Sequence, residues 1–351
     1  MMSTARAARG SMAAIAGMLF AAGMLGTAGC ADKSLDTSGS TSTTRGSRVF
    51  ATSNGGDIWT AEDLVYRTLN SVTNTRNGSW VAVRLKGVIL RSEDGGTNWS
   101  LIPSGTEIDL FGVSNNLVTG SALAVGSDGR LLRSTDDGLI WTTIASGTTN
   151  DLRGIASYAN IAIAVGEQGT ILRSSNGGAS WTARTAVANS SLYDVAFTSP
   201  DTIYAVGSLG VVLRSSDAGG SWSELATPEI PSNASLTSLA SPAPGVVVIT
   251  SYHYDANDHL FGRLIRTLDA GASWKVDSTG VNENGHSFPL EALYSVGTAD
   301  GMVMAVGTGV TTLVSADNGS TWSAWMGLGG TARMYDIAMY ARGHALAVGD
   351  H

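Results

Sequence analysis

A single cysteine, Cys30, is all the thiol this chain of 351 residues possesses. That excludes an internal disulfide framework and any cysteine-rich zinc site. Charge is scarce too: Asp, Glu, Lys and Arg make up 14% of the residues, against about 25% in an average globular chain. The formal net charge is −8, so there is no basic stripe for a phosphate backbone and nucleic acid is not an expected partner. There are only seven prolines, and no part of the chain beyond the leader sustains a helical period. Also missing are a G-x-S-x-G elbow, a phosphate-cradling glycine loop and an H-E-x-x-H pair. What abounds is glycine, 44 residues without a three-residue period, and apolar side chains at 43%. Such a chain is neither collagenous nor disordered, and it is long enough for one large domain or two ordinary ones.

The amino-terminal segment reads as an export signal. Arg6 and Arg9 give a short basic start, residues 11–25 are uncharged and mostly apolar, and small residues precede Cys30. The apolar run is shorter than the roughly 20 residues that span a bilayer. With the lone cysteine where the cleavage region ends, residues 1–29 resemble a bacterial lipoprotein signal peptide, and Cys30 is the expected lipidation site. Thr27 stands where leucine is usual, which leaves plain secretion open. Residues 30–46 are rich in Ser and Thr and nearly free of apolar side chains, a composition that makes a tether. The expected location is extracytoplasmic, on a bacterial membrane by its lipid anchor only.

Residues 47–351 are a repeat. The phrase RSEDGGTNW, residues 91–99, recurs with variation to end at Trp141, Trp181, Trp222, Trp274 and Trp322, and a degenerate first copy ends at Trp59. The intervals between these tryptophans are 40, 42, 40, 41, 52 and 48 residues. The pattern Ser/Thr-x-Asp/Asn-x-Gly-x-x-Trp has its own logic. The Asp or Asn accepts hydrogen bonds from amides of its own turn, glycine supplies positive φ, and the tryptophan turns back to bury its ring. Short β-prone runs lie between the copies, and Ala-Val-Gly returns at residues 124–126, 164–166, 205–207, 305–307 and 347–349. Four strands per unit of about 40 residues is the blade of a β-propeller. The chain ends on a first and a second strand and its folded part opens on a third, so the two partial units complete one blade. The expected fold is all-β: seven four-stranded blades, closed by amino-terminal strands pairing with carboxy-terminal ones.

These boxes resemble the Asp-box, or BNR repeat. The longer phrase AVG-x-x-G-x-ILRS-x-D-G-G-x-x-W resembles the propellers of photosystem II stability and assembly factors, over roughly residues 47–351. That resemblance implies a non-enzymatic factor that holds a membrane-protein assembly intermediate through arginines on the propeller surface. Arg91, Arg133, Arg173, Arg214 and Arg266 match the arginine position, immediately before five boxes, while Ala51 and Val314 interrupt the ring. A second account of these arginines is structural: their stems cover blade edges and their heads bond carbonyls or box carboxylates. The Gly-Trp pair that precedes the second-strand motif in that family is absent here.

Asp-boxes also occur in sialidases and some endoglucanases, which makes a carbohydrate-binding or sialidase-like glycoside hydrolase the alternative. A sialidase needs an arginine triad, a Tyr/Glu pair and an acid/base Asp, and its Arg-Ile/Leu-Pro mark is absent. The expected innermost strands start at Leu69, Leu110, Leu152, Leu192, Leu236, Leu290 and Met334. They offer Asp194, Glu291 and Asp336 as channel carboxylates and Arg153 as one arginine. A glycosidase needs two carboxylates about 5–9.5 Å apart across one bond, a separation the sequence does not give. The reading preferred here is a binding propeller with a protein partner at the envelope, a glycan being the alternative, and with no cofactor.

One region breaks the regularity. The box turn joins strands three and four, so the connections from strand two to three and from blade to blade leave at the opposite face. Most are minimal there, but three grow long around the sixth unit: 222–236, 274–290 and a second-to-third loop at about 252–262. They carry Tyr252, His253, Tyr254, Asp255, Asp258, His259, Phe261, Glu283, His286 and Phe288. Length, aromatics and ionisable groups on one face mark the expected partner-binding surface. His253, Asp255, Asp258 and His259 are suitable ligand types, but their spacing matches no metal motif, and no metal is expected.

Overall fold

The computed structural model describes residues 47–52, 60–64, 68–185, 189–227, 229–255, 257, 259–281, 287–308, 312–325 and 333–350. The leader, Cys30, the tether and residues 53–59 of the first box lie outside them. The described chain forms seven four-stranded antiparallel sheets and one two-stranded hairpin. The first strands touch one another in sequence, from Leu69–Asn74 round to Arg333–Ala341 and back. The fold is a seven-bladed propeller, as the repeats predict, and blades are numbered here by their boxes. No helix among the described residues is long and apolar enough to cross a membrane.

Alternation within each second strand explains the recurring Ala-Val-Gly. In blade 3, Ala122 and Ala124 pack with Val81, Val83 and Ile89 of blade 2. Leu123 and Val125 pack with Leu152, Ile155, Ala162 and Ala164 of blade 4. In blade 3 small side chains thus face the blade before and large ones the blade after, and strands in the middle of a blade are buried on both faces. The glycine that ends the motif lies against the start of the first strand, where a Cβ on Gly126 would stand 1.8 Å from the Asp109 carbonyl oxygen.

The box turns fasten blade to blade. In blade 3 the Ser134 hydroxyl donates to Asp136 Oδ1 at 2.7 Å and accepts from the Gly138 amide, Ile140 N–H donates to the same Oδ1, and Trp141 Nε1 donates to the Gly138 carbonyl. The serine or threonine and carboxylate or amide bonds recur in the boxes of blades 2, 4, 5, 6 and 7. Gly138 has φ +84°, and a Cβ there would reach 2.7 Å from Val81 Cγ2 of blade 2. The box is a self-satisfied turn pressed onto the preceding blade.

The ring closes as the chain ends predict. Ser47–Thr52 pairs with His344–Asp350, from Ser47 opposite Asp350 to Thr52 opposite Ala345, and on its other side with Thr60–Leu64. One expected strand moves. The first strand of blade 7 is Leu293–Ala299, with Leu293 opposite Gly307, as Leu192 is opposite Gly207 in blade 5. The start expected at Leu290 is three residues early, because Leu290 imitates the strand-opening leucine but belongs to the connection that follows the hairpin Thr279–Val281/Ser287–Pro289.

Candidate functional site

All seven first strands carry a β-bulge near their start, between Leu69 and Ser71 in blade 2 and at matching places elsewhere. A bulge turns its two residues to different ends of the strand's surroundings. Counted from the strand-opening Leu or Met, the third residue of each first strand lies on a belt around the axis, polar in five blades and glycine in blades 3 and 4. Asp336 Oδ2 accepts Val72 N–H at 2.9 Å and the Ser71 hydroxyl at 3.1 Å. Its Oδ1 accepts the Ser295 hydroxyl at 2.7 Å and Ile337 N–H at 2.9 Å. Ser71 accepts Val113 N–H of blade 3, and Asp194 accepts Leu239 N–H of blade 6 at 2.9 Å. In blade 4 the third residue is Gly154, where the strands come so close that a Cβ would stand 2.8 Å from Asp194 Cα.

This belt alters the role of the expected channel carboxylates. Asp194 and Asp336 are fully buried and committed to backbone amides. Burial pushes the Asp194 carboxyl well above the ordinary carboxylate range, against the amides that hold its charged form. Glu291 is exposed and precedes the first strand of blade 7 instead of lining it. Arg153 pairs with Asp151 at 3.0 Å and Glu167 at 2.7 Å, its guanidinium 4.3 Å over the Phe111 ring.

The second residue of each bulge belongs to the face where the first strands begin, called the mouth face below. In blades 5, 7 and 1 it is Tyr193, Tyr294 and Tyr335. In blade 6 it is Thr237, buried with its single hydroxyl proton between the Thr250 and Leu293 carbonyls at 2.8 and 2.9 Å, and Tyr252 from the second strand supplies the ring there. Tyr252 meets Tyr294 edge-on with centroids 6.4 Å apart, and Tyr294 meets Tyr335 at 5.7 Å. The phenols have partners: Thr308 donates to Tyr294 Oη at 3.0 Å, and Tyr335 donates to Asp350 at 2.9 Å. Burial pushes the Tyr193 hydroxyl up to about 12 and raises those of Tyr252, Tyr294 and Tyr335. These tyrosines are therefore neutral hydrogen-bonding groups at any ordinary pH.

Blade 6 overhangs this mouth. The segment 252–262, expected as a long loop, is largely ladder: Val247–Tyr254 pairs with Leu260–Thr267 up to Tyr254 opposite Leu260. Tyr252, Tyr254 and Phe261 are strand-favouring aromatics that suit an extended, half-buried surface and prolong the hairpin. Gly262 N–H donates to the Leu290 carbonyl at 2.8 Å, docking the hairpin onto the next connection. The tip brings together much of the expected cluster. Tyr254 packs edge-on against Tyr252 at 6.1 Å and is 47% exposed. Phe261 contacts both His253 and His259. Asp255 accepts His259 N–H at 2.9 Å and lies 3.4 Å from its ring nitrogen. Burial and then the Arg263 guanidinium lower the His253 pKa, so that ring is neutral and faces Arg263 at 3.2 Å. Asp258, Glu283 and His286 lie outside the described residues. Among the described residues no group of three or more His, Cys, Asp or Glu is placed to hold a metal ion.

The recurring arginines reach forward to the next blade. Arg91, Arg133, Arg173 and Arg266 donate to the carbonyls of Asp137, Gly177, Ala218 and Gly319, at 3.1, 2.8, 2.8 and 2.5 Å, each in the following box turn. Arg214 instead lies over the Tyr204 ring, whose hydroxyl takes the matching carbonyl, that of Ala270, at 2.8 Å. These bonds account for the arginine position by blade stacking. The tyrosine array is what the sequence reading missed. Its signal is faint: a Tyr after the strand-opening Leu or Met in three blades.

Residues 155–285 match the model of the family described as photosynthesis system II assembly factor YCF48. The chain resembles the photosystem II assembly-factor propellers. Solved structures agree on the fold. YCF48 from Cyanidioschyzon merolae is 18% identical over 80% of this chain and 94% of that one, with a TM-score of 0.53. A structure of YCF48 bound to D1 peptide is 15% identical over 86% and 96%, also at 0.53. The GH74 xyloglucanase from Xanthomonas campestris is 15% identical with a TM-score of 0.61, covering 87% of this chain but 52% of the enzyme. No curated protein matches the sequence.

Proposed function

We propose that this protein is a non-enzymatic binding propeller of the bacterial envelope, an assembly or scaffolding factor that holds an extended segment of a protein partner on its mouth face. The observation that carries this reading is the blade 6 hairpin. It prolongs a ladder that blades 3, 4 and 5 end in three-residue turns, and it presents Tyr254, Phe261 and His259 beside a buried tyrosine base. Aromatics fixed by packing supply contact area with little ordering cost, which is how peptide-binding surfaces gain affinity. The family match and the peptide-bound YCF48 relative support a protein partner. The commitment of Asp194 and Asp336 to backbone amides, and the position of Glu291 outside the strand, count against a glycosidase pair in the channel.

The test is capture of partners from solubilised envelope by the mature protein, with its lipidation at Cys30 established by mass spectrometry. Replacing residues 252–262 with a four-residue turn like 126–129 of blade 3 should abolish capture of the principal partner. The milder pair Tyr254→Ala and Phe261→Ala, which spares the buried Tyr252, should weaken it. Full capture by both variants overturns the assignment. The GH74 likeness favours the glycan reading as the second one, and hydrolysis or retention of xyloglucan oligosaccharides by the purified protein would establish it instead.

A further inference from the structure

Blade 3 carries a groove of about 660 Å³ at its outer edge on the mouth face, walled by residues 128–131 of the second-to-third turn and 143–149 leaving the fourth strand. Arg130 is the sole cation lining it, and its Nε is buried without a hydrogen-bond partner. Other arginines in that condition have another contact. Arg214 has the Tyr204 ring, and Arg184 donates from Nη2 to Thr182 Oγ1 at 3.1 Å. The Arg130 side chain makes no hydrogen bond, ion pair or ring contact among the described residues, its backbone alone being bonded, to Ser127 and Gly126. The turn does not require it either: blades 2, 4 and 5 place Val88, Thr170 and Val211 at the same position after the turn glycine. A buried donor without an acceptor is costly to keep, so its presence needs a reason.

We propose that this groove binds a carboxylate of an extended protein segment, an Asp or Glu side chain or a chain terminus. The planar guanidinium fork matches a carboxylate in two parallel bonds. Donors surround it. The Thr148 hydroxyl accepts from Asn150 N–H at 3.0 Å and keeps its own proton to give, and the exposed Thr143 and Thr149 hydroxyls flank it. Ser146 is spent within the loop on Thr148. The exposed Asp128 at the rim favours a single negative charge over a dianion such as phosphate. No aromatic ring lines the groove to stack a sugar. This site is on blade 3 and stands independently of the blade 6 reading.

Titration of the mature protein with an acetylated Gly-Glu-Gly-Glu-Gly amide, its Gln twin and inorganic phosphate, followed by amide NMR, tests it. The Glu peptide should shift residues 128–131 and 143–149, and the Gln twin should bind about tenfold more weakly or worse. Arg130→Gln should lose the response with an unchanged melting temperature. Arg130→Lys, which keeps the charge but not the fork, should fall between, and Arg184→Gln should behave as wild type. Equal binding of the two peptides, an unaffected Arg130→Gln, tighter binding of phosphate, or no response up to about 1 mM peptide each overturns the proposal.

Discussion

The two faces of the propeller are built on different terms. On the box face the same turn recurs in six described blades, with the same serine or threonine, carboxylate or amide, and glycine bonds, and each turn presses on the preceding blade. On the mouth face blades 3, 4 and 5 turn back within three residues, whereas blade 6 extends its hairpin over an array of tyrosines. Repetition holds the ring together at one end, and the other end is left free to vary. Under the proposed function, folding and recognition are thereby separated, and changes on one face should leave the other intact.

The largest expected effect comes from opening the ring. Deleting residues 341–351 removes the strand that pairs both Ser47–Thr52 and Arg333–Ala341, with Leu346 and Val348 from one interface and Ala345 and Ala347 from the next. The truncated chain should lose its cooperative thermal transition in near-ultraviolet circular dichroism, whereas replacing the blade 6 tip should keep it. A smaller loss follows from Asp336→Ala. It strips the acceptor from Val72 N–H and from the Ser71 and Ser295 hydroxyls at once, all buried. That should cost about 3 kcal/mol or more in urea unfolding, with the slope unchanged.

A box glycine can be compared with a mouth-face glycine of like conformation. Gly138 and Gly147 have φ of +84° and +81°, but only a Cβ at Gly138 meets a neighbour within 4 Å. Gly147→Ala should cost about 1 kcal/mol of backbone strain, and Gly138→Ala about 1–3 kcal/mol more as Val81 is displaced. Equal costs would mean that the boxes do not press on the preceding blade.

Acid separates the faces with the gentlest effect. Amides of their own turns and the adjacent hydroxyl or amide side chains hold Asp94, Asp217 and Asp269 down to about 2 from 3.8. Their contribution is complete above about pH 4 and fades as pH falls toward 2. His253 is shifted the other way relative to its charge. Burial and Arg263 favour the neutral ring, so its contribution is present above 6.5 and fades as pH falls through its lowered folded value. Amide NMR from pH 8 downward should show the blade 6 tip responding first and the box turns later, as pH approaches 2.

The parts of the molecule that were legible in sequence are those with local causes. A box satisfies itself within eight residues, so Ser134, Asp136, Gly138 and Trp141 announce their turn, and seven spaced copies count the blades. The incomplete units at the two chain ends likewise reveal the closure. Long-range geometry is what stayed hidden. The recurrence of Arg133 is visible, but its acceptor, the Gly177 carbonyl, is 44 residues away on another blade. Leu290 and Leu293 both look like strand starts, and only the pairing of Leu293 with Gly307 decides between them. The rings of Tyr252, Tyr294 and Tyr335 meet because two bulges and one extended hairpin converge, which no single segment encodes.

The central claim, that recognition occurs at the blade 6 end of the mouth face, can be tested by site-specific photo-crosslinking in intact envelope. A benzophenone amino acid replaces Tyr254 in one protein and Thr97, exposed on the box face, in another. The account predicts a discrete partner adduct from position 254 and none from position 97. An adduct confined to position 97, with position 254 silent, would contradict it.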